Sequence, residues 1–181
     1  MIEQSGSENA GSEEFRRISF AKLEALLGLC ETAGCRRVRL LDYFGEASPS
    51  GNCGNCDNCL NPPVVWDGTI VAQKALSCVY RTGQRFGAGY VIDVLTGRAS
   101  DRMKQFGHDR LQVFGLGTER NDKQWRTVMR QLVALGHLLP DSEAFGALKL
   151  TASSRGVLKG ETQVMLREET AQKTARVRRG R

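Results

Sequence analysis

Three cysteines fall within seven residues, in the pattern Cys53-x2-Cys56-x2-Cys59. Gly54, Asn55, Asp57 and Asn58 lie between them, residue types that accept tight turns and left-handed backbone and so let sulfurs converge on one point. Three thiolates leave a tetrahedral ion open. Cys35, separated from Cys53 by seventeen residues, can supply the fourth ligand and close the shell, as a structural zinc site requires. A four-iron cluster is the rival reading, but its pattern wants another cysteine three residues further on, where Pro63 stands. Zinc is therefore favoured. A closed four-sulfur shell leaves no position for an activated water, and neither His108 nor His137 lies near the cluster in sequence, which argues against a catalytic metal. Cys30 and Cys78 sit in apolar helical patterns and read as core fillers.

Other chemistry is thin. Gly83-Gln84-Arg85-Phe86-Gly87-Ala88-Gly89-Tyr90 is rich in glycine but lacks the lysine and the strand–helix context of a nucleotide-binding loop. Two histidines in unrelated segments do not assemble a nucleophile, base and orienting group. No catalytic residue is assigned.

The elements that must position the cysteines can be read from periodicity. The first residues are Gly, Ser, Asn and Glu rich, and 1–12 reads as a disordered leader without the basic and apolar regions of a secretory signal. A reducing, cytoplasmic setting follows, where clustered thiols mean metal. Ile18, Leu23, Leu26, Leu27 and Cys30 recur at helical spacing before Gly34, and Val38, Leu41 and Phe44 mark a second short helix over 37–44. The stretch from Gly45 to Asp67 reads as turn, too poor in apolar surface to hold itself without a cross-link. Residues 13–66 thus form a helical, four-cysteine zinc-binding subdomain, and Pro62-Pro63 stiffens its boundary.

Beyond it the spacing predicts a helix capped by Thr69 and ended at Thr82-Gly83, and another through Tyr90 and Leu95 closed by Gly97. A short helix over 101–106 follows, and then the strongest, Lys123 to Leu135, with Asp122 as N-cap. Two strands, 137–140 and 147–151, flank the turn-like Asp141 to Gly146. Helices followed by a hairpin are the order of a winged helix, the helix-turn-helix variant, over 67–160. The fold class is mainly α with a small β wing. Residues 161–181 read as a basic, disordered tail ending in Arg176, Arg178, Arg179 and Arg181, either solvated or drawn to phosphate.

The chain has 181 residues and a formal charge of +6, which fits a polyanionic partner and also an ordinary basic protein. No apolar run approaches the roughly 20 residues that span a bilayer, so no membrane partner is expected. Arg85, Arg98, Arg102, Lys104, Arg110, Arg120, Lys123, Arg126 and Arg130 fall in or before the main helix, where Lys123, Arg126, Thr127, Arg130 and Gln131 lie away from the apolar positions. Such a face meets phosphates or simply water. Thr118 and Asn121 offer polar side chains near the helix N-terminus. Phe145, in the hairpin turn, either stacks on a base or packs back on the strands.

Taken together, Cys35-Arg36-Arg37, Leu41-Asp42-Tyr43-Phe44-Gly45-Glu46, Cys53-Gly54-Asn55-Cys56-Asp57-Asn58-Cys59, Gln84-Arg85-Phe86-Gly87-Ala88-Gly89-Tyr90, Gly107-His108-Asp109 and Leu148-Lys149-Leu150-Thr151 resemble the zinc-binding and winged-helix (RQC) region of bacterial RecQ DNA helicases. The resemblance covers about Phe15 to Gly160. It implies one structural zinc on Cys35, Cys53, Cys56 and Cys59, and a wing tip at Phe145 near a DNA fork. It also implies a 3′-to-5′ ATP-dependent parent helicase acting in recombination and repair, associated with the bacterial nucleoid. ATP and magnesium belong to motor motifs absent from this sequence, so the chain alone is expected to be inactive. The implied partners are DNA as duplex, fork or overhang, the helicase core in cis and a single-strand-binding protein, with the chain itself a monomer. A protein-interaction module contacting the helicase core or another replication or repair protein is the alternative.

Overall fold

The computed structural model describes residues 15–16, 18–19, 22–23, 26–46, 51–141, 144 and 146–168. The leader expected over 1–12, the wing-tip Phe145 and the arginines of the tail lie outside them.

The architecture is mainly helical with a small β wing. Helical backbone at 26–31 leads through a turn to α1 (Arg36–Tyr43), and a second short helix, α2 (Asp57–Leu60), follows the cysteine loop. The stretch 45–67, expected to be turn throughout, therefore contains α2 and also β1 (Val65–Asp67). Both depend on distant partners that local composition does not display. The antiparallel partner of β1 is β4 (Met165–Arg167), with Trp66 opposite Leu166. Part of the span expected to be tail is thus a strand. Leu166 is fully buried, which gives those three residues a reason to be ordered.

The core forms between α3 (Thr69–Arg81), α4 (Ala88–Thr96) and α6 (Asp122–Ala134), with α5 (Asp101–Gln105) and a 3-10 turn at His108–Arg110 in the connection. Leu76, Val79, Val91, Ile92, Leu95, Met103, Trp125 and Leu132 are nearly or fully excluded from solvent. Cys78 belongs to this cluster, as expected, and burial pushes its thiol up to about 12. Cys30 does not: it is exposed at the end of its helix. Its position on the apolar stripe marked a face without saying whether anything covered it.

Two caps differ from expectation. Gly68 precedes α3, while Thr69, its first residue, donates to the Asp67 carboxylate through both its N–H and its hydroxyl. Asn121, and not Asp122, caps α6: its side-chain oxygen accepts from the Gln124 N–H and Gln124 accepts in return from the Asn121 N–H, a reciprocal capping box. Asp122 is then the first-turn acid, favourable at the positive end of the helix dipole.

The wing is the hairpin of β2 (Leu138–Asp141) and β3 (Ala147–Leu150). It is laced to the α3–α4 connection, since Leu148 N–H donates to the Phe86 carbonyl and Leu150 N–H to the Gln84 side chain. A five-residue helix, α7 (Ser154–Leu158), unanticipated from sequence, follows and packs on α3 through Val157. The lead-in to α6 is fixed by backbone approach. Gly97 ends α4 in the left-handed conformation at φ 73°, and Gly115 and Gly117 donate to the carbonyls of Val94 and Leu95.

Candidate metal centre and nucleic-acid interface

The sulfurs of Cys35, Cys53, Cys56 and Cys59 all lie within 4.8 Å of one another. Cys53 and Cys59 are 3.9 Å apart, Cys56 and Cys59 3.3 Å. Tetrahedral zinc–thiolate bonds of about 2.3 Å imply sulfur separations of about 3.8 Å, so the four positions fit a single ion. Local structure explains the convergence. Cys35 stands at the N-cap of α1 and Cys56 at the N-cap of α2, and the first turn of α1 supplies amides to both sulfurs. The backbone amide of Val38 draws the Cys35 thiol down, and that of Arg36 draws Cys56 down to about 6, favouring the thiolates a metal needs. Cys59 moves the other way, to about 11, chiefly through desolvation. These residues are positioned to coordinate one structural zinc.

Around them stand residues the sequence reading passed over. Arg36 grips Asp57 through two bonds, 2.6 and 2.9 Å, and also donates to the Leu29 carbonyl. Its guanidinium holds the Asp57 carboxyl below the usual range. Asn58, largely buried, donates to the carbonyls of Thr32 and Gly34 at 2.8 and 2.9 Å, which fixes the turn that carries Cys35. An arginine and an acid each beside a ligand cysteine was the available signal. This is a fork-shaped tie between the two halves of the metal site.

The basic residues separate into groups. Lys123, Arg126 and Arg110 are exposed and form no ion pair among the described residues. Arg98 is committed to Asp122 at 2.6 Å and approaches Asp93, and Lys104 pairs with Asp101 at 3.7 Å. Arg130 pairs with Glu31 at 2.8 Å. Arg102 lies over the rings of Phe86 and Tyr90, and Arg85 over Phe106, in an aromatic group that His108 joins by a 2.8 Å bond to the Tyr90 hydroxyl. Arg120 covers Trp66 at 4.6 Å. Thr118 is exposed, and Asn121 spends its side chain on the helix cap.

The expected basic face of α6 is narrower than its helical pattern implied. Thr127 and Gln131 are buried, and Gln131 exchanges two bonds with the backbone of Arg167 in β4, at 3.1 and 2.6 Å. Polarity at Gln131 serves a contact with a strand, while the Thr127 hydroxyl donates to the Lys123 carbonyl and accepts from Arg130 within the helix. What remains outward is Lys123 and Arg126, with Arg130 beside them.

With this arrangement in view, residues 62–175 match the RQC domain model and residues 1–60 the RecQ zinc-binding model. The chain belongs to the RecQ family. Its two units are the zinc-binding and RQC domains of that family, neither of which carries ATPase motifs. Among curated relatives, the chain is 43% identical over 154 residues to the ATP-dependent DNA helicase RecQ of Pasteurella multocida, an alignment covering 83% of this chain and 24% of that protein. It is 29% identical over 168 residues to the protein of the same name in Bacillus subtilis, covering 93% and 28%. With ATP-dependent DNA helicase Q-like 4B of Arabidopsis thaliana it shares 26% over 146 residues, covering 77% and 13%. The chain therefore spans about a quarter of the length of the bacterial RecQ relatives it matches. No helix among the described residues is long and apolar enough to cross a membrane.

Proposed function

We propose that this chain is the DNA-docking module of a RecQ-like, 3′-to-5′ ATP-dependent helicase, holding duplex or forked DNA for unwinding in recombination and repair. In this reading the winged helix of 67–160 meets the DNA, while the zinc-binding subdomain of 13–66 braces it. The setting is the bacterial cytoplasm at the nucleoid, and a single-strand-binding protein is a further partner. The observation that carries the proposal is the pair Lys123 and Arg126. Both are exposed and without an ion pair among the described residues, on a helix whose opposite side is seated in the core by Trp125, Val128, Met129 and Leu132. A rigid helix presenting free cations suits phosphate contacts, which position a protein on DNA without reading its bases. In this reading Arg110 and Thr118, both exposed, add further contacts, and Arg98, Arg102, Lys104 and Arg85 reach the DNA only by leaving their acidic or aromatic partners.

The test is titration of forked DNA at several salt concentrations. Removing two phosphate contacts lowers the slope of log affinity against log salt by about two. Lys123→Ala/Arg126→Ala is expected to do so, with zinc content unchanged. Binding that ignores salt, or is indifferent to the double substitution, overturns the reading.

A second reading, contact with the motor in cis, is favoured by one feature. Leu26, Leu29, Leu40, Tyr43 and Phe44 line a cleft of about 320 Å³ on the zinc-binding unit, and Leu26, Leu40, Tyr43 and Phe44 are exposed. Apolar surface of this kind marks an interaction site. The motor portion of a RecQ-length protein is the occupant in this reading. Leu40→Glu is expected to abolish binding to a separately expressed motor fragment while leaving DNA binding intact; retained motor binding removes it.

A further inference from the structure

A cleft of about 350 Å³ opens between α6 and the β1–β4 pair, and none of the roles above uses it. Arg120 and Arg167 line it, together with Gln124, Gln131, Trp66 and Glu168. Each of the two cations is held in place. Arg120 stacks on Trp66, its guanidinium carbon 4.6 Å from the ring centroid. The Arg167 backbone is clamped by Gln131, and its side chain makes a 3.5 Å contact with the Cys30 carbonyl.

Neither arginine forms an ion pair among the described residues, and the buried Nε of Arg120 has no hydrogen-bond partner among them. Both side chains are half-buried, so each keeps part of its hydrogen-bonding capacity for an anion that enters the cleft, and a buried N–H without an acceptor is unfavourable. Glu168 opposes an anion, but it is exposed and is the one acidic residue in a lining that holds two arginines. The fork of an arginine matches the oxygens of phosphate.

We propose that this cleft is a binding site for an oxyanion of the phosphate class, held between Arg120 and Arg167, and that a phosphate of the bound DNA strand is its source. The choice of source rests on the docking function proposed above. Each residue of an α-helix turns about 100° from the last. Gln124 and Thr127 therefore follow Lys123 and Arg126 from the outer stripe into the cleft, and a strand tracking the stripe passes its mouth.

The full, zinc-loaded chain carries its own reporters, because Trp66 lines the cleft while Trp125 is buried and bonded to the Gly117 carbonyl. Titration with inorganic phosphate, followed by the indole N–H resonances, is expected to move Trp66 saturably and leave Trp125 in place. Arg120→Met and Arg167→Met, each checked for one bound zinc and unchanged secondary structure, are expected to abolish that movement. On forked DNA each is expected to lower the salt slope by about one. If phosphate moves Trp66 and the variants leave the DNA slope untouched, the DNA source is overturned and the oxyanion site stands. If phosphate does not move Trp66 saturably, the site itself is overturned, whether or not DNA still binds through Lys123 and Arg126.

Discussion

Arg130 leaves the middle of α6 to meet Glu31, ninety-nine residues earlier, with Nε 2.8 Å from Oε1. The same guanidinium donates to the Thr127 hydroxyl at 3.2 Å. One cation of the proposed DNA face is thereby spent on joining the zinc-binding unit to the winged helix.

Because both partners keep solvent contact, the pair is expected to contribute about 0–1 kcal/mol to stability. A double-mutant cycle of Glu31→Ala and Arg130→Ala by chemical denaturation measures it. The more sensitive readout is amide exchange, which is expected to rise across 26–46 and to stay constant across α3 and α4. Arg130→Ala is also expected to lower the DNA salt slope less than Arg126→Ala, since Arg130 already has a protein partner.

Chelation of the metal is expected to open the cysteine loop first. The loop is held by the Arg36–Asp57 and Asn58 contacts and would be held further by four sulfurs on a zinc ion, whereas the winged helix has its own apolar core. Limited proteolysis with and without chelator is expected to show new cleavage within 51–61, one zinc released, and unchanged Trp125 fluorescence. Cys35→Ser is expected to reproduce the pattern.

Stability is expected to fall as pH drops from neutrality. Burial holds the His108 and His137 imidazoles below their ordinary value, with Arg85 adding to the effect at His108. For a lowered folded-state value, the contribution is full above the unfolded imidazole value of about 6.5 and is lost as pH falls through the folded one. Denaturation midpoints measured between pH 7 and pH 5 are expected to decline. His108→Gln/His137→Gln, less stable at pH 7, is expected to decline less steeply.

Gly117 is expected to tolerate no side chain. A Cβ there would lie 2.6 Å from the Trp125 ring, whose Nε1 donates to the Gly117 carbonyl at 2.7 Å. Gly117→Ala is expected to cost about 1–3 kcal/mol, as overpacking does, and to shift the near-ultraviolet signal of Trp125. Thermal denaturation checks the first and circular dichroism the second.

Much of this molecule was legible from residue types alone. Cys35, Cys53, Cys56 and Cys59 announced a metal because ligand chemistry and tight turns are local properties, and the helices through Leu76, Val91 and Trp125 followed from apolar period. Charge was less informative. Gln131 and Arg130 share the polar side of α6 with Lys123 and Arg126 in the sequence pattern, yet one binds the β4 backbone and the other Glu31. Their fates depend on which distant segment arrives opposite them.

The amino-acid sequence by itself determined the metal ligands, the winged-helix order and the net positive character of the chain. Tertiary structure decided that Met165–Arg167 pairs with Val65–Asp67, that Asn58 supports the metal turn, and that Arg120 rests on Trp66. A ligand set and a helical period are written in neighbouring residues. Strand pairing, burial and the fate of a charge depend on contacts between segments as much as 137 residues apart, and these exist only once the chain has closed on itself.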